Sequence, residues 1–218
     1  AAGIEVRAAL PVGIYRSFFG RSDLRLHRKI TVIDGLVAWT GSMNMVDPQL
    51  FRTGEGFGQW VDSSLRLEGP VVAPLGAIAA GDWRLESDEE LSKLIESAAL
   101  RLPPPTGTVD FQAIASGPTG HADGLLQMML ALIDSADREL VVTTPYLVPD
   151  TSLRRALHGA AARGVAVSVI MPNHIDSLMT RSACRSYLGD LMDAGVSIYR
   201  FMDGLLHTKS ITVDGEVA

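Results

Sequence analysis

Histidine and lysine occur together twice in the chain, at the same spacing and ahead of the same aspartate. Residues 26–38 read LHRKITVIDGLVA and residues 206–218 read LHTKSITVDGEVA, with seven of the thirteen positions identical. Both copies share the pattern H-x-K-x4-D, formed by His27, Lys29 and Asp34 and by His207, Lys209 and Asp214. The chain has only three lysines among its 19 basic residues, and two of them occupy equivalent places. This coincidence indicates an internal duplication rather than chance.

The repeated pattern suits the binding and transfer of a phosphate group. Histidine and lysine lie two residues apart on a predicted strand, so both side chains point to one face. Two such cationic groups repel each other unless an anion lies between them. A protonated lysine is not a metal ligand, and the single cysteine, Cys184, offers no Cys-His cluster, so we predict no metal and no cofactor. Asp34 and Asp214 each precede a glycine, which is also typical of a hairpin turn.

Two such copies around one phosphoryl group could carry out a two-step displacement. Because an ordinary imidazole has a pKa of about 6.5, one histidine can be neutral and nucleophilic while the other is protonated. The first would form a phosphohistidine, and the second would protonate the leaving alcohol and deprotonate the incoming one. The lysines would offset oxygen charge, and each aspartate could hold an imidazole in its useful tautomer. The similarity of the copies leaves open which histidine is the nucleophile.

Helices and strands alternate around the second copy, which predicts an α/β fold with parallel strand pairing. Apolar spacing and capping residues predict helices at 125–133, 152–163 and 176–193 and strands at 139–144, 165–171 and 196–201. Around the first copy the predicted elements are strands near 4–9, 28–33, 36–40 and 58–68, a helix over 71–83 and a short helix near 89–100.

The duplication predicts two lobes related by a pseudo-two-fold axis, with mixed β-sheets flanked by helices. The first lobe would occupy residues 1–83 and the second residues 110–218, joined by an acidic, proline-rich linker at 84–109. The second copy follows a series of predicted helices and strands, whereas the first follows almost none. We therefore expect both lobes to be incomplete in this chain and the parent protein to be longer.

Composition limits the classes of protein that the chain could form. With 47% hydrophobic and 20% charged residues, it is not disordered. No apolar run approaches the roughly 20 residues needed to cross a bilayer, and the opening residues do not form a signal peptide. A net charge of -6 disfavours a broad electrostatic contact with nucleic acid, although a local groove can still be basic.

The paired H-x-K-x4-D motifs, the first followed by G-S-x-N at Gly41 to Asn44, resemble the phospholipase D superfamily. Further segments resemble its bacterial cardiolipin synthase branch, and together they extend over nearly the whole chain. They are residues 26–30, 68–72, 82–83, 116–118, 144–150, 163–165 and 206–209.

This resemblance implies a phosphatidyltransferase that makes cardiolipin. One phosphatidylglycerol would donate its phosphatidyl group to an enzyme histidine, and a second would accept it, releasing glycerol. The resemblance also implies that Ser42 and Asn44 bind the substrate phosphate and that the parent protein lies at the bacterial cytoplasmic membrane. A second G-S-x-N is expected beyond Ala218, so the isolated chain could be inactive. The alternatives are a phosphodiesterase that hydrolyses phospholipid or nucleic acid, and a non-catalytic phosphate- or lipid-binding remnant.

Overall fold

The computed structural model describes residues 3–9, 26–47, 59–87, 89–90, 92–93, 96, 102–117, 123–175 and 177–218. The chain divides into two compact units. The first comprises Ala1–Gly41 and Ser64–Ala115, and the second comprises Ser42–Ser63 and Ser116–Ala218. These units differ from the predicted contiguous lobes, which end at residue 83 and begin at residue 110, because Ser42–Ser63 groups with the second unit.

The first unit is built on a three-stranded antiparallel sheet with one helix against it. Its strands are β1 (Ile30–Ile33), β2 (Val37–Gly41) and β4 (Ser64–Glu68), in the order β1-β2-β4. Helix α1 (Val72–Arg84) packs its apolar side on this sheet, where Val72 and Leu75 meet Ala38 in a small buried cluster. The sheet thus places Asp34 in the turn after β1, with His27 and Lys29 of the same H-x-K-x4-D copy just ahead of that strand.

The same turn closes both copies of the repeat. Asp34 and Asp214 have φ angles of 55° and 54°, and the glycines after them also have positive φ. The Leu36 N–H donates to the Ile33 carbonyl at 3.0 Å, and the Glu216 N–H donates to the Val213 carbonyl at 3.0 Å. Asp-Gly is favoured at two successive left-handed positions, so the predicted hairpin turn is confirmed in each copy.

The second unit is built on a four-stranded mixed sheet. Its strands β5 (Glu139–Thr143), β6 (Ala166–Pro172) and β7 (Ser197–Phe201) are parallel to one another. Strand β9 (Ser210–Val213) runs antiparallel to β5, giving the order β7-β6-β5-β9. Helices connect the parallel strands, as crossovers between parallel neighbours require. The predicted α/β alternation is therefore confirmed in this unit.

Three helices cover this sheet: α2 (Gly124–Asp134), α3 (Thr151–Ala162) and α4 (Leu178–Asp193). The Asp150 carboxylate caps α3 by accepting the Leu153 N–H at 2.8 Å, and the Ser177 hydroxyl caps α4 by accepting the Thr180 N–H at 3.3 Å. The core between helices and sheet is apolar and includes Leu140, Val169 and Leu191, each fully buried. This core gives the strand ends a rigid support.

A short parallel pair links the two parts of the second unit's sequence. Strand β3 (Trp60–Val61) pairs with β8 (Leu205–Leu206), so Trp60 lies opposite Leu205 and Val61 opposite Leu206. Gly204 precedes β8 at φ 134°, where a Cβ atom would lie only 2.3 Å from the Gln59 carbonyl oxygen. Only glycine allows this approach of the two backbones.

Three predictions for the first lobe are wrong in the described residues. Residues 3–9 form no strand, and Ile4 and Val6, which would share one face of a strand, are both exposed. The strand expected over 58–68 is broken at Asp62 and Ser63, whose polar groups bond to Ser42 in place of a strand partner. The third correction concerns His27 and Lys29, which precede β1 instead of lying within it. The helix expected near 89–100 falls largely outside the described residues.

Candidate active site in the second unit

His207 is held in place by its own backbone directly after β8. The His207 and Thr208 N–H groups both donate to the Val61 carbonyl oxygen, at 2.8 and 3.2 Å. The Trp60 ring packs against the imidazole, with the ring centroids 4.9 Å apart and the planes tilted by 46°. The side chain is only 13% exposed. The pairing of β3 with β8 therefore fixes both the backbone and the ring of this histidine.

A chain of hydrogen bonds runs from the backbone of Ser63 to the imidazole of His207. The Ser63 N–H donates to Ser42 Oγ at 3.0 Å, and Ser42 Oγ donates to Asp62 Oδ1 at 2.7 Å. His207 Nδ1 lies 2.7 Å from the same Asp62 oxygen. Asp62 and His207 are 145 residues apart in sequence. The fold thus brings together two residues that no local motif connects.

The direction of these bonds determines which imidazole nitrogen can react. A backbone N–H can only donate, so the Ser42 hydroxyl accepts from Ser63 and directs its own proton to Asp62. An ionised carboxylate can only accept, so His207 Nδ1 carries the proton of its bond to Asp62. In the neutral ring the lone pair then lies on Nε2. This arrangement leaves Nε2 to attack an electrophile or to exchange a proton with a substrate oxygen.

Asp62 is the functional residue that sequence reasoning missed. It lies in the run Trp60-Val61-Asp62-Ser63-Ser64, whose aromatic and β-branched start is typical of a strand. The available signal was the three consecutive polar residues, which an uninterrupted strand packed on one face would not place together. Asp62 is 14% exposed, and its carboxylate contacts two residues distant in sequence, Ser42 and His207. We assign it as a positioning residue for the imidazole.

Asp214 does not hold an imidazole in the described geometry, so the tautomer role predicted for it is wrong. Its carboxylate accepts three backbone N–H groups at the start of β5, from Asp137 at 3.1 Å, Arg138 at 2.9 Å and Glu139 at 2.8 Å. These donors, with that of Glu139 strongest, lower the pKa of Asp214 below its ordinary value. The left-handed turn directs this side chain back to its own sheet, and Asp62 takes the place beside the histidine.

The two lysines make the same contact in both copies of the repeat. Lys29 Nζ donates to the His27 carbonyl oxygen at 2.7 Å, and Lys209 Nζ donates to the His207 carbonyl oxygen at 2.6 Å. Each ammonium is therefore held beside the backbone of its histidine, although neither residue lies in a strand. The equal geometry supports the duplication inferred from sequence.

The remaining predicted residues are distributed over both units. His27, Lys29 and Asp34 belong to the first unit, where His27 is exposed. Asn44 belongs to the second unit and is half-buried, and its carbonyl accepts the Val46 N–H at 2.8 Å. In the second unit, Ser42 and His207 both contact Asp62, and Lys209 contacts the His207 backbone. The catalytic and phosphate-binding roles of all these residues stay predictions.

Within the part of the chain that the structure describes, no three His, Cys, Asp or Glu side chains form a group suited to a metal ion. Across those same residues, no helix has the length and apolar character needed to cross a bilayer.

Replacement of Ser42 by alanine separates two roles for its hydroxyl. The hydroxyl is buried and bonded to Asp62, so in a reaction that uses the His207 imidazole we expect S42A to loosen that carboxylate and lower kcat roughly tenfold with KM little changed. Steady-state kinetics of S42A and of a control variant, S186A, would measure this. Ser186 lies exposed on α4. A raised KM with unchanged kcat would instead indicate that Ser42 acts by binding the phosphate.

Replacement of Asp214 by asparagine tests a structural role for the repeated aspartate. Because the pKa of Asp214 is lowered in the folded protein, its stabilising contribution is present at neutral pH and is lost as pH falls below about 4. We expect D214N to have a lower Tm at neutral pH and a weaker loss of Tm on acidification. The control E216Q removes a charge from the same turn, where Glu216 is exposed. Equal acid sensitivity in D214N and the wild type would contradict this role.

Comparison with known proteins gives a consistent set of matches. A family model described as "Cardiolipin synthase, PLD-like domain" matches residues 129–218. Over its whole length the chain is 45% identical to cardiolipin synthase A of Serratia proteamaculans and 46% identical to that of Pectobacterium atrosepticum. The chain covers 45% of each of these relatives, and so spans less than half of their length.

One solved structure supports the fold independently. Phosphatidylserine synthase of Haemophilus influenzae matches with a TM-score of 0.52 at 15% sequence identity, over 87% of this chain and 52% of that chain. At this identity the likeness concerns the fold alone. It agrees with the α/β architecture expected from sequence.

Proposed function

Because the chain belongs to the cardiolipin synthase group of phospholipase D-like proteins, we propose that the protein carrying it makes cardiolipin from two phosphatidylglycerol molecules. The observation that carries this proposal is the Ser42–Asp62–His207 hydrogen-bond chain. It holds an imidazole with Nδ1 bonded to a carboxylate and Nε2 presented for reaction. A nucleophile or general base needs Nε2 unprotonated, and a general acid needs it protonated; the Asp62 contact on Nδ1 is compatible with either state.

The reaction would proceed by two displacements at phosphorus. One histidine of the pair His27 and His207 attacks the phosphorus of the donor lipid, forming a P–N bond as the P–O bond to the departing glycerol breaks. The other histidine, as imidazolium, gives its proton to that glycerol oxygen. It then takes a proton from the free hydroxyl of a second phosphatidylglycerol, whose oxygen attacks phosphorus and breaks the P–N bond.

The lysines and the lipid substrate complete the proposal. Lys29 and Lys209 each lie beside their histidine backbone and would offset negative charge on the non-bridging oxygens. Ser42 and Asn44 would order the phosphate-binding segment. The substrate is an anionic phospholipid, so we place the protein at the bacterial cytoplasmic membrane.

Product analysis with labelled phosphatidylglycerol and the full-length protein that carries this chain tests this function. The substrate carries one label in its phosphatidyl part and another in its terminal glycerol. We expect cardiolipin and free glycerol to form in equal molar amounts. Phosphatidic acid with glycerol, and no cardiolipin, would show that water is the acceptor and that the protein is a phosphodiesterase. Lipid binding with neither product would favour the non-catalytic alternative.

A further inference from the structure

Exposed apolar side chains collect at one edge of the second unit. They follow the carboxyl ends of the three parallel strands: Tyr146 and Val148 after β5, Leu178 and Met179 after β6, and Met202 after β7. Leu178 and Met179 are 70% and 85% exposed. Because β5, β6 and β7 are parallel neighbours, these residues lie at the same edge of the sheet. We call this set the apolar edge.

The reacting histidine lies at the same edge. Strand β9 runs antiparallel to β5, with Ser210 opposite Thr143 at the carboxyl end of β5. The segment from His207 to Lys209 directly precedes Ser210, so it lies at the end of the sheet where the parallel strands finish. An exposed apolar surface beside the proposed phosphate site suits a ligand that has both an apolar part and a phosphate group.

The charges of α4 indicate what that ligand is. Arg181 and Arg185 are exposed on the first two turns, and with Leu178 they have the i, i+3, i+7 spacing of one helix face. The last turn instead carries Asp190 and Asp193. A helix macrodipole favours acidic residues at the start and basic residues at the end, so α4 has the reverse of the arrangement that would stabilise it. The two arginines therefore contribute no dipole stabilisation to α4, and they are available to bind a negatively charged ligand.

Few acidic residues lie near the apolar edge in sequence. The described acidic residues nearest the apolar edge in sequence are Asp150 and Asp203. The Asp150 carboxylate is already bonded to the Leu153 N–H as the cap of α3. Asp203 follows Met202, and Arg200 precedes it on β7. Asp176, ahead of α4, lies outside the described residues.

We propose that the apolar edge, with Arg181 and Arg185 behind it, docks on the surface of an anionic phospholipid bilayer. Leu178 and Met179 enter the acyl region, and the two guanidinium groups bind lipid phosphates. Docking in this orientation presents the His207 segment to the headgroups. This inference rests on the proposed function, because the substrate of that reaction is itself a bilayer lipid.

Site-specific fluorescence tests the docking directly. A single cysteine in place of Met179, carrying a polarity-sensitive dye, reports the apolar edge, and the same label in place of Met192 is the matched control. Both methionines are exposed on α4, about 20 Å apart along the helix. Cys184 is buried, and burial raises the pKa of its thiol, so labelling is directed to the introduced cysteine.

The labelled protein is mixed with vesicles of phosphatidylglycerol and phosphatidylcholine that carry a quencher on the acyl chain. We expect a blue shift and strong quenching at position 179, little change at 192, and loss of both effects in phosphatidylcholine alone. The R181Q/R185Q variant should weaken partitioning about tenfold or more, whereas R84Q in the first unit should not.

Two results would overturn the docking proposal. Equal quenching at positions 179 and 192 would show no orientation, and a blue shift at 179 without lipid quenching would show that a protein segment covers the edge. Cardiolipin formation is measured on the same preparations. In the full-length protein that carries this chain, quenching without cardiolipin formation retains the docking and rejects the proposed function, whereas cardiolipin formation without quenching does the reverse.

Discussion

Replacing His207 by alanine is expected to abolish cardiolipin formation, lowering kcat/KM by about 10³-fold or more. His207 is the one imidazole in the second unit with a carboxylate on Nδ1 and an aromatic ring against its face, among the described residues. Removal of the ring takes away either the nucleophile or the proton donor, and either loss stops the transfer. The rate of labelled cardiolipin formation measures the effect.

A matched control is available on α3. His158 Nε2 lies 3.1 Å from Asp190 Oδ2, and neither residue belongs to the Ser42–Asp62–His207 hydrogen-bond chain. We expect H158A to keep a rate within a few-fold of the wild type, because it removes only this contact with Asp190. Circular dichroism would confirm that both variants fold. Turnover in H207A equal to that in H158A would reject the proposed mechanism.

Replacing Asp62 by asparagine is expected to lower kcat by about 10² to 10⁴-fold with a smaller change in KM. The amide keeps the size of the side chain but presents an N–H group that can donate to Nδ1, which moves the ring proton to Nε2. The reactive nitrogen is then blocked in the neutral imidazole. Asp62→Glu restores the carboxylate and should recover part of the lost rate.

The tautomer of His207 distinguishes a positioning role of Asp62 from a role in the stability of the fold alone. Nitrogen NMR of the selectively labelled protein should show the proton on Nδ1 in the wild type and a change of tautomer in D62N. The control D190N alters a surface carboxylate that pairs with Arg154 and contacts His158, and it should change neither the rate nor the His207 signals. An unchanged His207 tautomer in D62N would contradict the positioning role.

The second unit shows how much of the fold could be predicted from sequence. Its three helices and three parallel strands follow from apolar periodicity and from caps such as Asp150, and each lies within a few residues of its predicted place. Such patterns succeed because each element buries its own apolar side against the same core. Residues 3–9 lack that support. Their alternating apolar side chains, Ile4 and Val6, stay exposed instead of packing on the core of the described residues.

The candidate site was predictable in part. The repeat alone identifies His27, Lys29, His207 and Lys209, because their spacing recurs with the same polar residues. The partner of the imidazole could not be predicted, because Asp62 reaches His207 only through the pairing of β3 with β8. The motif offered Asp214 as the nearest carboxylate, but its left-handed turn directs that group to the amides before β5.

The division of labour between the two histidines is tested most directly with a phosphatidyl ester of p-nitrophenol. This leaving group departs without a proton, so only the nucleophile is needed for the first step. We predict that one of the variants H27A and H207A keeps a burst of p-nitrophenolate and holds a base-stable, acid-labile phosphatidyl adduct on the remaining histidine, and that the other shows neither. A burst with adduct in both variants, or turnover of the wild type without any histidine adduct, would contradict covalent transfer by this pair.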